Sequence, residues 1–398
     1  MKKHVLFNLL FIALSPWILE IGLEYFGNSA KLIKKKHVTV QKNYILKQEN
    51  KIKIDELKKQ GYHPTAYPSV LSKRLIYKNL MIANSFLPLG AQPNTKTYLC
   101  DEGYGFIKFK TDYLGFRNNN EDWVGDKKLA LIGDSYVHGS CVDDNFTISG
   151  HLKTKGIKNI NLGIGNHQSA HYYQTIDQFI IDDLFQNVVV LFSLHNDLMG
   201  ADEGDKIYLN NFNSYIFNKD KNKFQLSDGG KNFYSYLEKN LSKIKNEEER
   251  NVRNFLKLER LRVALRVNYG IWINKDLFCF KKFCIYGSLE KRFNNELTVV
   301  KKTISKLLKR CNPTTKCNPM VILLHHPKFY DHDIMYNYRR IYFNKFVNEI
   351  KIKNTYLNYI DSSLLIDSNL AKNYAIAGSH FSPYGYELIA DMISNNLK

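Results

Sequence analysis

With 398 residues, 44% of them hydrophobic and 24% charged, the chain can bury one large core or two modest ones, and its composition is globular rather than disordered or fibrous. The 57 lysines and arginines outnumber 38 acidic residues, giving a formal charge of +19 spread along the whole length, which favours anionic neighbours such as lipid headgroups or acidic polysaccharide. Zinc-finger spacings and aromatic RNA-binding signatures are absent, so nucleic acid is not an expected partner.

The chain opens MKKHVLFNLLFIALSPWILEIGLEYFGN, a short basic start followed by an apolar run from Val5 to Leu19 that is interrupted by Asn8 and Pro16 and closed by Glu20. Residues 1–30 read as a membrane anchor or export signal. Ser29-Ala30 offers a cleavage position, but no small-x-small pattern surrounds it, so an uncleaved single-pass anchor is preferred. Lys2 and Lys3 precede the run and Lys31, Lys34, Lys35 and Lys36 follow it, so positive charge does not assign a side of the membrane. Residues 31–125 form a membrane-proximal region, basic at first and then rich in Tyr, Pro and Gly.

From Lys128 the pattern becomes regular. Leu129 to Ile132 predicts a first strand, IKNINLGIG a second after a segment with apolar Phe146, Ile148 and Leu152, and Gln168 to Asp182 a helix. NVVVLFSLHND predicts a third strand, whose continuous apolar run fits a parallel strand covered on both faces. PMVILLHHP and NTYLNYID supply the fourth and fifth, with a helix near Arg339 to Ile350 between them and a last helix from Pro383 carrying Leu388, Ile389, Met392 and Ile393. Strands alternating with helices imply an α/β fold, a doubly wound and mainly parallel five-stranded sheet of flavodoxin-like type over residues 126–398.

Residues 201–318 interrupt that domain as an insert expected to be largely helical. Phe255, Leu258, Leu261 and Leu265 recur at helical spacing with arginines between them, and Leu297, Val300, Ile304 and Leu307 predict the crossover helix into the fourth strand. Of the six cysteines, Cys279 with Cys284 and Cys311 with Cys317 are close pairs. Their spacing is not that of a zinc knuckle, and local disulfides in an oxidising envelope compartment are the preferred reading, which tips the body to the outside of the membrane.

In a parallel sheet the ligand crevice lies beyond the carboxyl ends of the strands. Those ends carry Asp134-Ser135, Gly163 to Asn166 and His195-Asn196-Asp197, and the last strand-helix junction carries Ser379-His380. A serine becomes nucleophilic when an imidazole takes its proton, and the resulting oxyanion needs preorganised N–H donors. Ser135 and His380 fit the first requirement. The backbone N–H groups of Ser135 and of Gly165 or Asn166, with the Asn196 side chain, fit the second. Against this stands the ordinary role of a serine before a helix, which is to cap it. His138, His167 and His195 read as hydrogen-bonded walls of the crevice, and His325-His326 as a poor metal pair, since neighbours on a strand point to opposite faces.

Four blocks in this order, GDSYVHG, NLGIGNHQ, SLHND and GSHFSPYGYELIA, resemble the SGNH/GDSL hydrolase superfamily. FKTDYLGFRN upstream is similar to envelope-anchored members found near polysaccharide and lipid O-acylation systems. The resemblance spans roughly residues 95–200 and 315–398. It implies Ser135 as nucleophile, His380 as general base, and Ser135, Gly165, Asn166 and Asn196 as the oxyanion hole. Two positions depart from the family pattern: Ala377 stands where an aspartate commonly orients the histidine, and Asn166 where many members have glycine. The orienting role then falls to a backbone carbonyl or to Asp361 or Asp367. Asp134 is expected to organise the turn, and Arg117 to tie the upstream segment to the sheet or to bind an anionic substrate.

The function so implied is a membrane-anchored serine esterase or O-acyltransferase of the cell envelope, acting on an acylated, expectedly acetylated, carbohydrate or lipid through an acyl-Ser135 intermediate. A non-catalytic carbohydrate-binding or assembly protein on the same fold is the alternative, suggested by Ala377 and the basic insert. No metal, nucleotide or flavin site is indicated, so no cofactor is expected.

Overall fold

The computed structural model describes residues 52–125, 127–193, 197, 206–240, 271–274, 277–280, 283–286, 289–324, 334–364, 371–378 and 380–397. The expected membrane segment, the arginine-bearing stretch 253–266, His195, Asn196, His325, His326 and Asp367 lie outside them. No described helix is long and apolar enough to cross a membrane. The chain divides into two compact units, residues 1–56 with 241–292 and residues 57–240 with 293–398.

The larger unit is built on five strands: β1 (Lys127–Ile132), β2 (Asn159–Asn161), β3 (Phe185–Ser193), β4 (Asn318–Leu324) and β5 (Asn358–Asp361). All pair in parallel in the order β5-β4-β3-β1-β2. Leu129 lies opposite Asn159 on one side and Asn187 on the other, and Val190 opposite Ile132 and Val321. The runs NVVVLF and MVILL form the central strands because branched and aromatic side chains suit a pleated surface covered on both faces. One face packs Leu129, Leu131, Val189, Leu191, Ile322 and Leu324 against Ile389, Ala390 and Ile393 of the last helix (Pro383–Ser394), with Ile148 and Leu152 completing the layer. On the other face Phe192 meets Tyr172 and Phe343, at ring-centroid distances of 5.6 and 5.5 Å.

This order reverses between β1 and β3, where chain connections leave in opposite directions and the loops part into a crevice. Whatever follows β1, β2 and β3 therefore shares one end of the sheet.

The insert contributes strands as well as helices, which corrects the expectation of a largely helical segment. An antiparallel hairpin pairs Tyr215–Asn218 with Lys223–Leu226, followed by a helix over Asp228–Asn240. The Lys/Asn-rich text between the strands masks their alternation, but Tyr215 and Phe224 are buried. These pieces clasp residues 86–90: Phe233 packs on Phe86 at 5.6 Å, the Tyr234 hydroxyl donates to the Gly90 carbonyl at 2.7 Å, and the Gly90 N–H donates to the Tyr215 hydroxyl at 2.9 Å. A helix over Leu289–Arg310 then leads to β4 through the disulfide Cys311–Cys317. In the smaller unit, strands Ile271–Asn274, Leu277–Phe280 and Phe283–Tyr286 form an antiparallel sheet whose register sets Cys279 opposite Cys284.

Candidate active site

β1 ends at Ile132, and Gly133 permits the tight turn that follows: a Cβ there would lie 2.3 Å from the Val137 side chain. Asp134 then caps a one-turn helix, Ser135–His138, by accepting the Tyr136 N–H at 3.0 Å. The cap is thus the aspartate, not Ser135, whose hydroxyl is left for other use.

That hydroxyl meets His380. The Ser135 Oγ lies 2.9 Å from His380 Nε2. His380 sits at the end of a tight loop closed by the Ala375 N–H donating to the His380 carbonyl and by the Ser382 N–H donating to the Asn373 carbonyl, both at 3.0 Å. Ser382 then caps the last helix by accepting the Gly385 N–H.

The orienting carboxylate is Glu102. Its Oε1 lies 2.9 Å from His380 Nδ1, and its Oε2 accepts the backbone N–H of His380 at 3.0 Å. A carboxylate gripping both ring and backbone fixes the imidazole with Nδ1 protonated and Nε2 free to take the serine proton. Ala377, where the expected aspartate is missing, holds the replacement in place, its N–H donating to the Glu102 carbonyl at 2.9 Å. Gly378 makes room for it: at φ +124° its absent Cβ would stand 2.1 Å from the Glu102 carboxyl carbon. The carboxylate on His380 is therefore not Asp361, which accepts hydrogen bonds from Arg340 Nε at 3.0 Å, Asn344 Nδ2 at 2.9 Å and the Ser363 N–H at 3.0 Å. Burial pushes the Asp361 carboxyl up, but these donors outweigh it and hold it below the usual range. Asp361 lies at the end of the edge strand and braces a helix instead.

Sequence patterning missed Glu102 because it approaches His380 from 278 positions away. One signal pointed there: pairing the last four cysteines locally leaves Cys100 and Cys141, one beside Glu102 and the other in the serine block. The structure joins them in a disulfide. Glu102, Cys141 and His380 place ligand atoms within 4.8 Å of one another, but the Cys141 sulfur is bonded to Cys100, which removes the thiolate a metal would need.

The turn after β2 runs beside the serine turn, tied by the Ile164 N–H to the Gly133 carbonyl at 3.3 Å. Gly165 lies against the Tyr67 ring, 2.5 Å from where a Cβ would stand, so only glycine fits. Among the described residues nothing accepts the Ser135 or Gly165 N–H. Asn166 is exposed at φ +63°, a left-handed conformation that asparagine tolerates better than most residues, which explains how it can stand in place of glycine. After β3, Asp197 is buried as a brace: it accepts the Ser193 N–H at 2.6 Å and the Tyr172 hydroxyl at 2.8 Å, and so ties the end of β3 to the helix that carries Tyr172. Burial, reinforced by Asp134, pushes its carboxyl well up.

Arg117 is a tie and not a free anion receptor. Its Nε pairs with Asp144 at 2.7 Å, Nη1 donates to the Gly139 carbonyl at 2.6 Å, and Nη2 to the Val142 carbonyl at 2.9 Å. The guanidinium thus holds the loop that follows the serine helix. A cleft of about 370 Å³ opens beside it, lined by Lys110, Asn119, Asn145, Thr147 and Lys153 among others, and includes none of Ser135, Glu102 or His380.

Three histidines are buried: His138 in the serine helix, and His167 and His171 after β2. His167 stacks on His171 at 4.6 Å, and His138 lies edge-on to Phe109 at 5.6 Å. Burial pushes His138 and His171 well below the ordinary value of 6.5 and His167 down to about 3. The fold therefore excludes protons that the unfolded chain takes up, and the stability held above pH 6.5 is lost as pH falls through that value. At pH 5 His167, with its value at about 3, costs about 2 kcal/mol, and His138 and His171 act in the same direction. Asp112 and Asp197 act in the opposite sense, because their raised values let the fold take up protons that the unfolded carboxyls still refuse. Three histidines against two carboxyls are expected to leave a net loss of stability between pH 7 and pH 5. Urea midpoints at pH 7 and pH 5 test this, and an equal or higher midpoint at pH 5 would contradict it.

No known family profile and no curated protein matches the chain. Among solved structures, one from Desulfitobacterium hafniense DCB-2, provisionally described as a lipolytic protein of the G-D-S-L family, aligns over 68% of this chain and 99% of its own with 13% identity and a TM-score of 0.30. A likeness that distant assigns neither activity nor substrate, and the chemistry of this site is read from its own residues.

Proposed function

We propose that the protein is a serine acyl-transfer enzyme of SGNH/GDSL type, an esterase or O-acyltransferase working through an acyl-Ser135 intermediate. The observation that carries this reading is the relay Ser135 Oγ, His380 Nε2, His380 Nδ1 and Glu102 Oε1, with 2.9 Å at both contacts. His380 Nε2 takes the hydroxyl proton as Ser135 Oγ attacks the ester carbonyl carbon, and Glu102 holds the imidazolium that forms. The oxyanion faces the N–H groups of Ser135 and Gly165, with Asn196 assigned as the third donor. On collapse the leaving alcohol takes the proton from Nε2. Water or an acceptor hydroxyl then gives its proton to Nε2 as it attacks the acyl-enzyme, and as the acyl carbon–Oγ bond breaks Ser135 Oγ takes that proton back from Nε2.

The substrate class we assign is an acylated envelope carbohydrate or lipid. Its support is the +19 charge, the apolar run Val5 to Leu19, and disulfides that suit an oxidising, extracytoplasmic compartment. The test is labelling of the full-length protein with a fluorophosphonate probe. Wild type is expected to label at one site, and Ser135→Ala and His380→Ala to lose the label. Folded wild-type protein that takes no label would remove this reading and leave the carbohydrate-binding alternative.

A further inference from the structure

Glu102 reaches His380 from a loop between two short strands, Lys96–Tyr98 and Lys108–Lys110. The loop is closed near its base by the Leu99 N–H to the Ile107 carbonyl, and within itself by Asp101, whose Oδ1 accepts the N–H groups of Gly103 and Gly105. These bonds shape the loop but do not attach it to the serine block. Hydrogen bonds tie the loop to the histidine segment, through the Ala377 N–H on the Glu102 carbonyl and the His380 N–H on the Glu102 carboxylate, and the disulfide Cys100–Cys141, two positions before Glu102, is a covalent tie to the serine segment.

Cys141 belongs to the loop that ends the serine helix. It sits at φ +63°, a conformation unfavourable for a side chain of this kind, and its sulfur lies 3.8 Å from His380 Nδ1, the atom that Glu102 bonds. The bridge therefore joins the carboxylate segment to the nucleophile segment beside the imidazole that links them chemically. Cys100 is exposed, so a reductant can reach the bond, whereas Cys141 is buried against the site.

We propose that the Cys100–Cys141 disulfide is the positioning element of the relay, so that the chemistry proposed above is present in the oxidised protein and falls when the bond is reduced. The inference rests on that serine acyl-transfer reading. A dithiol donates two electrons and two protons, the Sγ–Sγ bond breaks to give two thiols, and the reductant leaves as its own cyclic disulfide. The loop then keeps its hydrogen bonds to the histidine segment but loses its covalent tie to the serine segment, and Glu102 shifts against His380 Nδ1, which weakens the acceptor that fixes the tautomer. Misplacement of a catalytic group by about 1 Å costs on the order of 100-fold, and a drop of about that size is expected.

The experiment measures the rate of fluorophosphonate labelling of the full-length protein, oxidised, after dithiothreitol, and after reoxidation with glutathione disulfide, with a chelator present throughout. Alkylation and mass spectrometry under native conditions identify the opened cysteines. Wild type is expected to slow about 100-fold on reduction and recover on reoxidation. Cys100→Ser with Cys141→Ser is expected to be slow in every state. Cys311→Ser with Cys317→Ser, at the opposite end of the sheet, is expected to keep both the full oxidised rate and its loss on reduction. In Glu102→Gln, already slow, reduction should change nothing further, because the bridge acts through that carboxylate. An unchanged wild-type rate with Cys100 and Cys141 alkylated would overturn the inference, as would a reduction effect that persists undiminished in Glu102→Gln. Absence of labelling in oxidised wild type would instead remove the serine chemistry itself, and the inference with it.

Discussion

Replacing Glu102 by glutamine is expected to slow acylation of Ser135 by about 10³- to 10⁴-fold, the scale set by neutralising the buried acid of other serine triads. The geometry gives the reason. Glu102 Oε1 faces His380 Nδ1 and Oε2 accepts the His380 backbone N–H, so both oxygens are committed as acceptors. An amide keeps one acceptor and turns two donors towards the same partners. If the oxygen stays on the backbone, the NH2 faces Nδ1, the ring takes the other tautomer, and Nε2 carries the proton it should be removing from Ser135. Asp361→Asn is the informative companion: its partners are Arg340, Asn344 and Ser363, and it is expected to label within about twofold of wild type, the scale of a substitution outside the reacting groups. Thermal melts of both variants separate chemistry from folding. Glu102→Gln labelling within tenfold of wild type would return the orienting role to another group.

The parts of this site that sequence revealed are those fixed by local chemistry. Gly133-Asp134-Ser135 after an apolar strand, and His380 before Pro383 and Gly385, announce turns at strand ends, and a parallel sheet brings such turns to one edge. The five strands followed from runs such as NVVVLF and MVILL, because a strand buried on both faces has few other compositions. Three things were not legible. Glu102 lies on a loop with no periodicity, and contacts distant in sequence set its address: the Cys100–Cys141 disulfide, the Ala377 N–H on its carbonyl and the His380 N–H on its carboxylate. The hairpin strands of the insert are only four residues long, and Tyr215–Asn218 puts aliphatic Ile216 at an outward position, which blurs the period of two. Arg117 could be read as an anion receptor or as a tie, and only the carbonyls of Gly139 and Val142 around its guanidinium decide between them.

Asp112, in a segment upstream of every strand of the main sheet, is expected to be the most costly carboxylate to remove. Its Oδ1 accepts the N–H groups of Leu114 and Phe116 at 2.9 and 2.8 Å, and its Oδ2 accepts Asn118 Nδ2 at 2.9 Å and Trp123 Nε1 at 2.8 Å. Burial pushes the carboxyl up to about 6 against the opposing pull of these four donors, so it is largely ionised at neutral pH. Asp112→Ala strands the donors away from water. At about 1 to 3 kcal/mol for each buried group left without a partner, a loss of about 4 kcal/mol or more follows, even after some of them find a substitute. The damage runs towards the active site. Asn118 also donates to the Asn161 carbonyl and accepts the Asn161 N–H at the end of β2. The Asn161 side chain in turn donates to the Val137 carbonyl in the serine helix and accepts the Gly163 N–H in the turn after β2. Asp112→Ala should therefore lower the urea midpoint sharply and also slow Ser135 labelling in the fraction that remains folded. Asp112→Asn, which keeps one acceptor oxygen, should lose less stability. Equal urea midpoints for wild type and Asp112→Ala would show that the four donors find other partners, and that the path from this upstream segment to the nucleophile carries no stabilising energy.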